Sequence, residues 1–187
     1  MSNYTLELIK TELEILGLNC LVEKSGEEGY PSTAPSRLLI FAGFDSKNRQ
    51  RKITITEDAI ETGSELSPNP EERNRRYVRM QLDAPFPFTV KDTAMADVAQ
   101  FLHFLDLQIE LPGFYLNHFE NVVLYRSVHI TNVEHVPLKI YVSILGVILF
   151  CLDTFGPSIE RLASEEISFV DLLQELQKML GEMGKKL

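Results

Sequence analysis

Three runs of strand length follow one another in this chain with no helical period between them: Arg37–Phe44, Lys52–Thr56 and Tyr77–Leu82. The first, RLLIFAGF, is continuously apolar, as a central strand is. In the second, Ile53 and Ile55 alternate with Thr54 and Thr56. In the third, Val78, Met80 and Leu82 alternate with Tyr77, Arg79 and Gln81. Alternation gives a strand one buried and one wet face. The polar turn Asp45-Ser46-Lys47-Asn48 makes the first two runs an antiparallel hairpin. Leu18–Lys24 and Val122–Thr131 complete the strand set. The strands come as neighbours rather than alternating with helices, which points to an antiparallel sheet. The fold class that follows is α+β: an antiparallel sheet of about five strands with N-terminal, central and C-terminal helices on one face.

The helices show themselves by three- and four-residue spacing. Leu6, Ile9, Leu13 and Leu16 mark a first helix over Tyr4–Leu16, which Gly17 stops. Thr89 followed by Asp92 resembles a capping box for a helix that runs to about Asp106. Its apolar stripe is Met95, Val98, Phe101, Leu102 and Leu105. Asn132 is placed to cap a further helix, with Pro137 in its first turns and a stripe from Leu138 through Tyr141, Leu145, Ile148, Leu152 and Phe155 to Ile159. Gly156-Pro157 is expected to kink or split it. Ser168 and Asp171 cap the last helix, whose stripe is Phe169, Leu172, Leu173, Leu176 and Leu180, with Gly181 and Gly184 fraying its end. The length of 187 residues suits one domain over 1–187, with a polar excursion at about 61–75 that is expected to be mobile.

A net charge of −9 argues against a nucleic-acid surface, which needs clustered Lys and Arg. The local group Arg73, Arg75, Arg76 and Arg79 reads as a solvated strand entry. Glu7, Glu12 and Glu14 spoil any signal peptide over Met1–Leu16, so the chain is expected in the cytoplasm with Cys20 and Cys151 reduced and packed in apolar settings. The apolar run Val136–Leu152 is short for a membrane span, so it reads as a buried helix and no membrane is expected.

No HExxH, CxxC, GxSxG or phosphate-cradling glycine loop occurs, so catalytic residues, metal ligands and cofactors are all expected to be absent. His103, His118, His129 and His135 lack ligand spacing, though His129 and His135 can approach each other. Asp106, Glu110, Glu120 and Glu134 offer carboxylates without a visible pocket to split their pKa values. Arg126 is a lone cation among Leu124, Tyr125 and Val128, and it needs a carboxylate such as Glu120. Two readings stand for it: it pins the strand, or it meets a partner's carboxylate. Phe86, Phe88, Phe114, Tyr115 and Phe119 gather near proline-rich turns. They either close the core or leave an exposed aromatic patch of the kind that binds proteins.

The PFPF that leads into a helix, the ELPGF turn at Glu110–Phe114, VVLYR at Val122–Arg126 and the closing DTFGPSIERLASEEISFVDLL resemble the YbjN-like family of bacterial proteins. The resemblance runs from about Leu6 to Leu180. It implies a fold like that of type III secretion chaperones, no catalytic residues, and a role in binding or regulating other proteins. The expected function is a non-enzymatic protein-binding module, chaperone-like or regulatory, with Phe114, Tyr115, Phe119 and Arg126 as binding residues. The alternative is a small-ligand-binding protein or enzyme with a pocket near Arg126 and His129. The stripe from Leu138 to Ile159 holds more apolar surface than one sheet face can cover, which predicts a homodimer unless the terminal helix, through Phe169, Leu172 and Leu176, covers it within one chain.

Overall fold

The computed structural model describes residues 4–27, 29–60, 77–111, 113–132 and 137–183. The excursion at 61–75, with Arg73 and Arg75, therefore lies outside the described residues, as do Arg76, Pro112, Glu134, His135 and Gly184. In chain order the elements are α1 (Tyr4–Ile15), β1 (Asn19–Glu23), β2 (Arg37–Phe44), β3 (Gln50–Ile60), β4 (Tyr77–Pro85), α2 (Met95–Gln108), β5 (Phe114–Asn117), β6 (Val122–Asn132), α3 (Leu138–Ala163) and α4 (Phe169–Met183). The strands make one six-stranded antiparallel sheet in the order β1-β2-β3-β4-β6-β5. The fold class is thus α+β, with one strand beyond the five that the alternation marks. The added strand, β5, has only four residues, too few for a period to register.

The chain divides into two compact units, Met1–Ala84 with Arg126–Leu149, and Pro85–Tyr125 with Phe150–Leu187. In the first unit, register puts Ile40 opposite Ile53 and Leu38 opposite Ile55, and Ile55 opposite Leu82. These side chains are fully buried, as is Met80, and so are Leu6, Ile9 and Leu13 of α1 to within 1%. Leu16 falls just past the helix and is 55% exposed, because Gly17 turns the chain with φ +83°. The other sheet face is stitched by cross-strand ion pairs. Glu23 meets Arg37, Asp58 meets Arg79 at 2.6 Å, and Asp83 meets Arg126 at 2.6 Å.

In the second unit the core is aromatic. The Phe114 ring lies 5.2 Å from that of Tyr125, 5.7 Å from that of Phe155 and 6.3 Å from that of Phe86. A Cβ on Gly156 would stand 3.2 Å from the Phe86 ring, so glycine there lets the ring close on the helix. Val98, Phe101, Leu102 and Leu105 of α2 and Leu172 of α4 are buried, while Met95 is half-buried. Asp97 accepts the N–H of Phe169 at 2.9 Å, and Arg161 grips Glu175 at 2.8 and 3.2 Å, so α4 is held by both helices it follows.

Several local expectations change. Thr89 and Asp92 make no capping box. Residues 92–94 form a 3-10 turn that runs into α2, neither that turn nor the helix has a side-chain cap, and Asp92 instead accepts from Asn121 at 2.7 Å. Asn132 ends β6 and does not cap α3, which starts at Leu138 directly after Pro137. Gly156-Pro157 does not split α3, which runs unbroken for 26 residues. One missing N–H is tolerated where Leu152, Ile159 and Leu162 keep burying on both sides of it. Ser168 does cap α4, accepting the N–H of Asp171 at 3.2 Å and donating to its carboxylate at 2.6 Å. Leu172 leads the α4 stripe, with Phe169, Leu173 and Leu176 half-buried. The side chain of Leu180 lies outside the described residues.

Helix α3 also corrects the apolar-run argument. By length and composition it is long enough to cross a membrane, because it continues ten residues past Asp153 to Ala163. It is not buried all round either: Tyr141, Leu145 and Ile148 are buried, whereas Ile140 is 48% and Phe150 61% exposed. The inward stripe that predicted a dimer is thus covered within one chain at those three positions and at Leu152 and Ile159.

Cys151 is buried and Cys20 half-buried, so the packed-core expectation holds fully for the first and in part for the second. Burial, then the Glu14 carboxylate, opposed by Lys10, push the Cys20 thiol up to about 11. A thiolate is the reactive form, so its fraction at neutral pH is very small. With Ellman's reagent the native protein is expected to react slowly at Cys20, faster as pH rises toward that value, and at Cys151 only on unfolding. Rapid labelling of Cys151 in the native state would contradict this packing.

Candidate functional site

The turn joining β5 to β6 is built by one side chain. Asn117 Oδ1 accepts the N–H of Phe119 at 3.0 Å and that of Glu120 at 3.4 Å, and Asn117 Nδ2 donates to Glu120 at 2.9 Å. Asn121 closes the turn with φ +55°, a left-handed conformation that asparagine tolerates better than most residues. Val90 N–H donates to Asn121 O at 2.7 Å, which ties the turn to the segment after the PFPF motif. The result is a fixed loop that carries Phe119 wholly into solvent, at 101% exposure.

Register separates the other aromatics. Phe114 is opposite Tyr125 and Leu116 opposite Val123 on the inner face, whereas Tyr115 is opposite Leu124 on the outer face. Phe114 is therefore a core residue, 6% exposed, and offers no exposed ring for the binding role expected of it. Tyr115 is 49% exposed. The ELPGF segment is fixed from below. Asp106 Oδ1 accepts the N–H groups of Gly113 and Phe114 at 3.1 and 3.2 Å, and Tyr125 donates to Leu111 O at 2.7 Å. Burial, then Cys151 and Asp106, push the Tyr125 hydroxyl up to about 12, so it remains a donor. Leu111 is 59% and Leu107 68% exposed, which adds apolar surface to this unit. Asp106 and Glu120 are committed to these turns, and Glu110 is exposed.

In the first unit Arg126 is met by Asp83, not Glu120. The contact is bidentate, Nε to Oδ1 at 2.6 Å and Nη2 to Oδ2 at 3.0 Å, and Gln81 Nε2 adds a bond to Oδ2 at 2.8 Å. This is the wet face of the sheet. His129 lies on the opposite, inner face, beside Tyr141 of α3 with ring centres 4.8 Å apart. Residues three apart on a strand point to opposite sides, so Arg126 and His129 share no pocket. His103 and His118 are exposed.

Around His129 is a cluster that the sequence reading passed over. Glu57 follows Ile53 and Ile55 on the inner face of β3. Its Oε1 lies 3.5 Å from Thr5 Oγ1, and its Oε2 is buried without a hydrogen-bond partner among the described residues, as are both His129 nitrogens and Tyr141 Oη. Burial raises the Glu57 carboxyl and lowers the His129 imidazole, favouring the neutral form of each. The signal was available: the two-residue period of Ile53 and Ile55, carried one step further, puts Glu57 on the buried face.

Elsewhere in this unit Gly17, Leu18, Asn19, Phe41–Phe44 and Gln50 line an open depression of about 780 Å³ at the β2 bulge, with Phe44 63% exposed. Among the described residues no group of three or more His, Cys, Asp or Glu could hold a metal ion.

The two phenylalanines separate by experiment. Phe114→Ala is expected to cost about 3–5 kcal/mol in denaturant unfolding, the range for a buried aromatic. Phe119→Ala is expected to stay within about 0.5 kcal/mol of the parent, as exposed positions do. Equal costs would contradict the assignment of one to core and the other to surface.

No protein-family model, curated protein or solved structure matches this chain, so the YbjN-like resemblance rests on its motifs alone.

Proposed function

We propose that this chain is a non-enzymatic protein-binding module, chaperone-like or regulatory, that meets its partner through Phe119 and Tyr115. The observation that carries this reading is a phenylalanine held fully in water on a turn that Asn117 fixes by three hydrogen bonds. An exposed aromatic normally costs solubility, and one held in a single geometry loses little conformational entropy on binding. Aromatic anchors of this kind dominate many protein interfaces. Arg126 enters this reading as a strand pin, since Asp83 takes its guanidinium on both edges.

The YbjN-like resemblance supports the same reading, as does an antiparallel sheet backed by helices, which suits a secretion-chaperone-like fold. The net charge of −9 supports a cytoplasmic protein that binds neither nucleic acid nor an anionic membrane surface. A homodimer remains part of the proposal, but its contact would use exposed residues such as Ile140 or Phe44 and not the inward α3 stripe.

The test is capture from native lysate with the full chain, Phe119→Ala and Phe44→Ala in parallel, read by quantitative mass spectrometry. A partner retained by the parent and by Phe44→Ala, and lost about tenfold or more with Phe119→Ala, is the expected result. An identical set of retained proteins on the parent and Phe119→Ala would overturn the assignment.

A further inference from the structure

The inner face of β6 turns polar past Tyr125, as that of β3 does at Glu57. Val123 and Tyr125 are followed at the same spacing by Ser127, His129 and Thr131. His129 packs on Tyr141, which is fully buried at the start of α3. Neither imidazole nitrogen finds a partner among the described residues, and the tyrosine hydroxyl finds none either. A neutral ring can sit in such a place. An imidazolium has two N–H groups and a charge, and it needs an acceptor for them.

Among the described residues, none of the groups that face the cluster hydrogen-bonds the imidazole. From α1 it meets Thr5, whose neighbours on that helix are engaged elsewhere, Glu7 with Lys24 and Lys10 with Glu14. From β4 the residue opposite Glu57 is Met80. From α3 it meets Tyr141, whose hydroxyl is raised by burial first and then by Glu57, and so stays neutral. Glu57 itself is buried and raised toward its neutral form, and it is not among the causes of the His129 shift, which is burial alone.

We propose that His129 is an acid-operated release for the first half of α3, Leu138–Leu149. Neutral, its ring holds Tyr141 and the helix against the inner face of β6. Protonated, it cannot remain between them, and that stretch of helix lets go while the sheet persists. The sign follows from linkage. In the open state the ring titrates near its ordinary value of 6.5, and in the closed state below it. Between those values the open state binds more protons, so the contribution to closure present above 6.5 is lost as pH falls through the closed-state value. Glu57 works the other way. Its raised carboxyl favours closure below its ordinary value and loses that contribution as pH rises through the closed-state value. Acid opening is therefore the work of His129 and not of Glu57.

Hydrogen exchange on the full chain tests this at about pH 7.5 and about pH 5, with rates corrected for intrinsic exchange. The amides of Leu138–Leu149 are expected to exchange roughly threefold or more faster in acid, while those of α4 hold steady. His129→Phe is expected to abolish the acid response and Glu57→Gln to keep it. The same response in His129→Phe, or one shared equally by α3 and α4, would overturn the proposal. If His129→Phe does not fold, the ring of His129 in the parent is titrated by NMR. A value below the ordinary one, with the Tyr141 ring signals moving in step, supports the release. A value at or above it, or a Tyr141 ring indifferent to the titration, overturns it.

Discussion

Antiparallel pairing forces successive side chains to opposite faces, and nearly every assignment in the first unit depends on that two-residue period. It sends Ile40, Ile53, Ile55, Met80 and Leu82 inward, where they are fully buried. It sends Arg37, Asp58, Arg79, Asp83 and Arg126 outward, where they pair across strands. These ion pairs are part-exposed, so each contributes modestly, about 1 kcal/mol or less. Their geometry matters more than their energy. A strand slipped by one residue would bring charges into the core and apolar residues to water, so the pairs and the core specify one register together.

The same rule makes the inner face of the first unit chemically uneven. Glu57 and His129 occupy positions that the period reserves for apolar side chains. Burial shifts each toward its neutral form. An apolar residue at either place would pack with less penalty. Among its described residues the second unit shows no such charged exception on its inner face. Its rings meet edge-on around Phe114, and its buried polar group, the Tyr125 hydroxyl, has its bond to Leu111 O.

Much of the fold was legible because periods are local. β2 and the N-terminal cap of α4 appear in the sequence as they appear in space, and the first helix differs only at its last residue. What was not legible needs partners far along the chain. Phe114 and Phe119 sit in one aromatic-rich stretch, and only the register with Val122–Tyr125 decides that the first is core and the second is surface. Asp92 looked like a capping residue until Asn121, 29 positions away, took its carboxylate. Arg126 needed Asp83, 43 positions away, while Glu120 was near in sequence and engaged in its own turn. Pro157 looked like a break because the sequence does not show that Phe86 fills the space beside Gly156.

The sheet ends on its two shortest strands, β1 with five residues and β5 with four, while the four inner strands have eight to eleven. A short edge offers few free backbone groups to an incoming strand, so it templates poorly. The sheet therefore resists growth by strand addition, whether from a second copy, from an extended peptide or from an aggregating chain. If the β5 end binds a partner as proposed, recognition there falls to side chains at the hairpin tip, and its selectivity would be a matter of shape around one ring, insensitive to the backbone hydrogen-bonding pattern of whatever docks there.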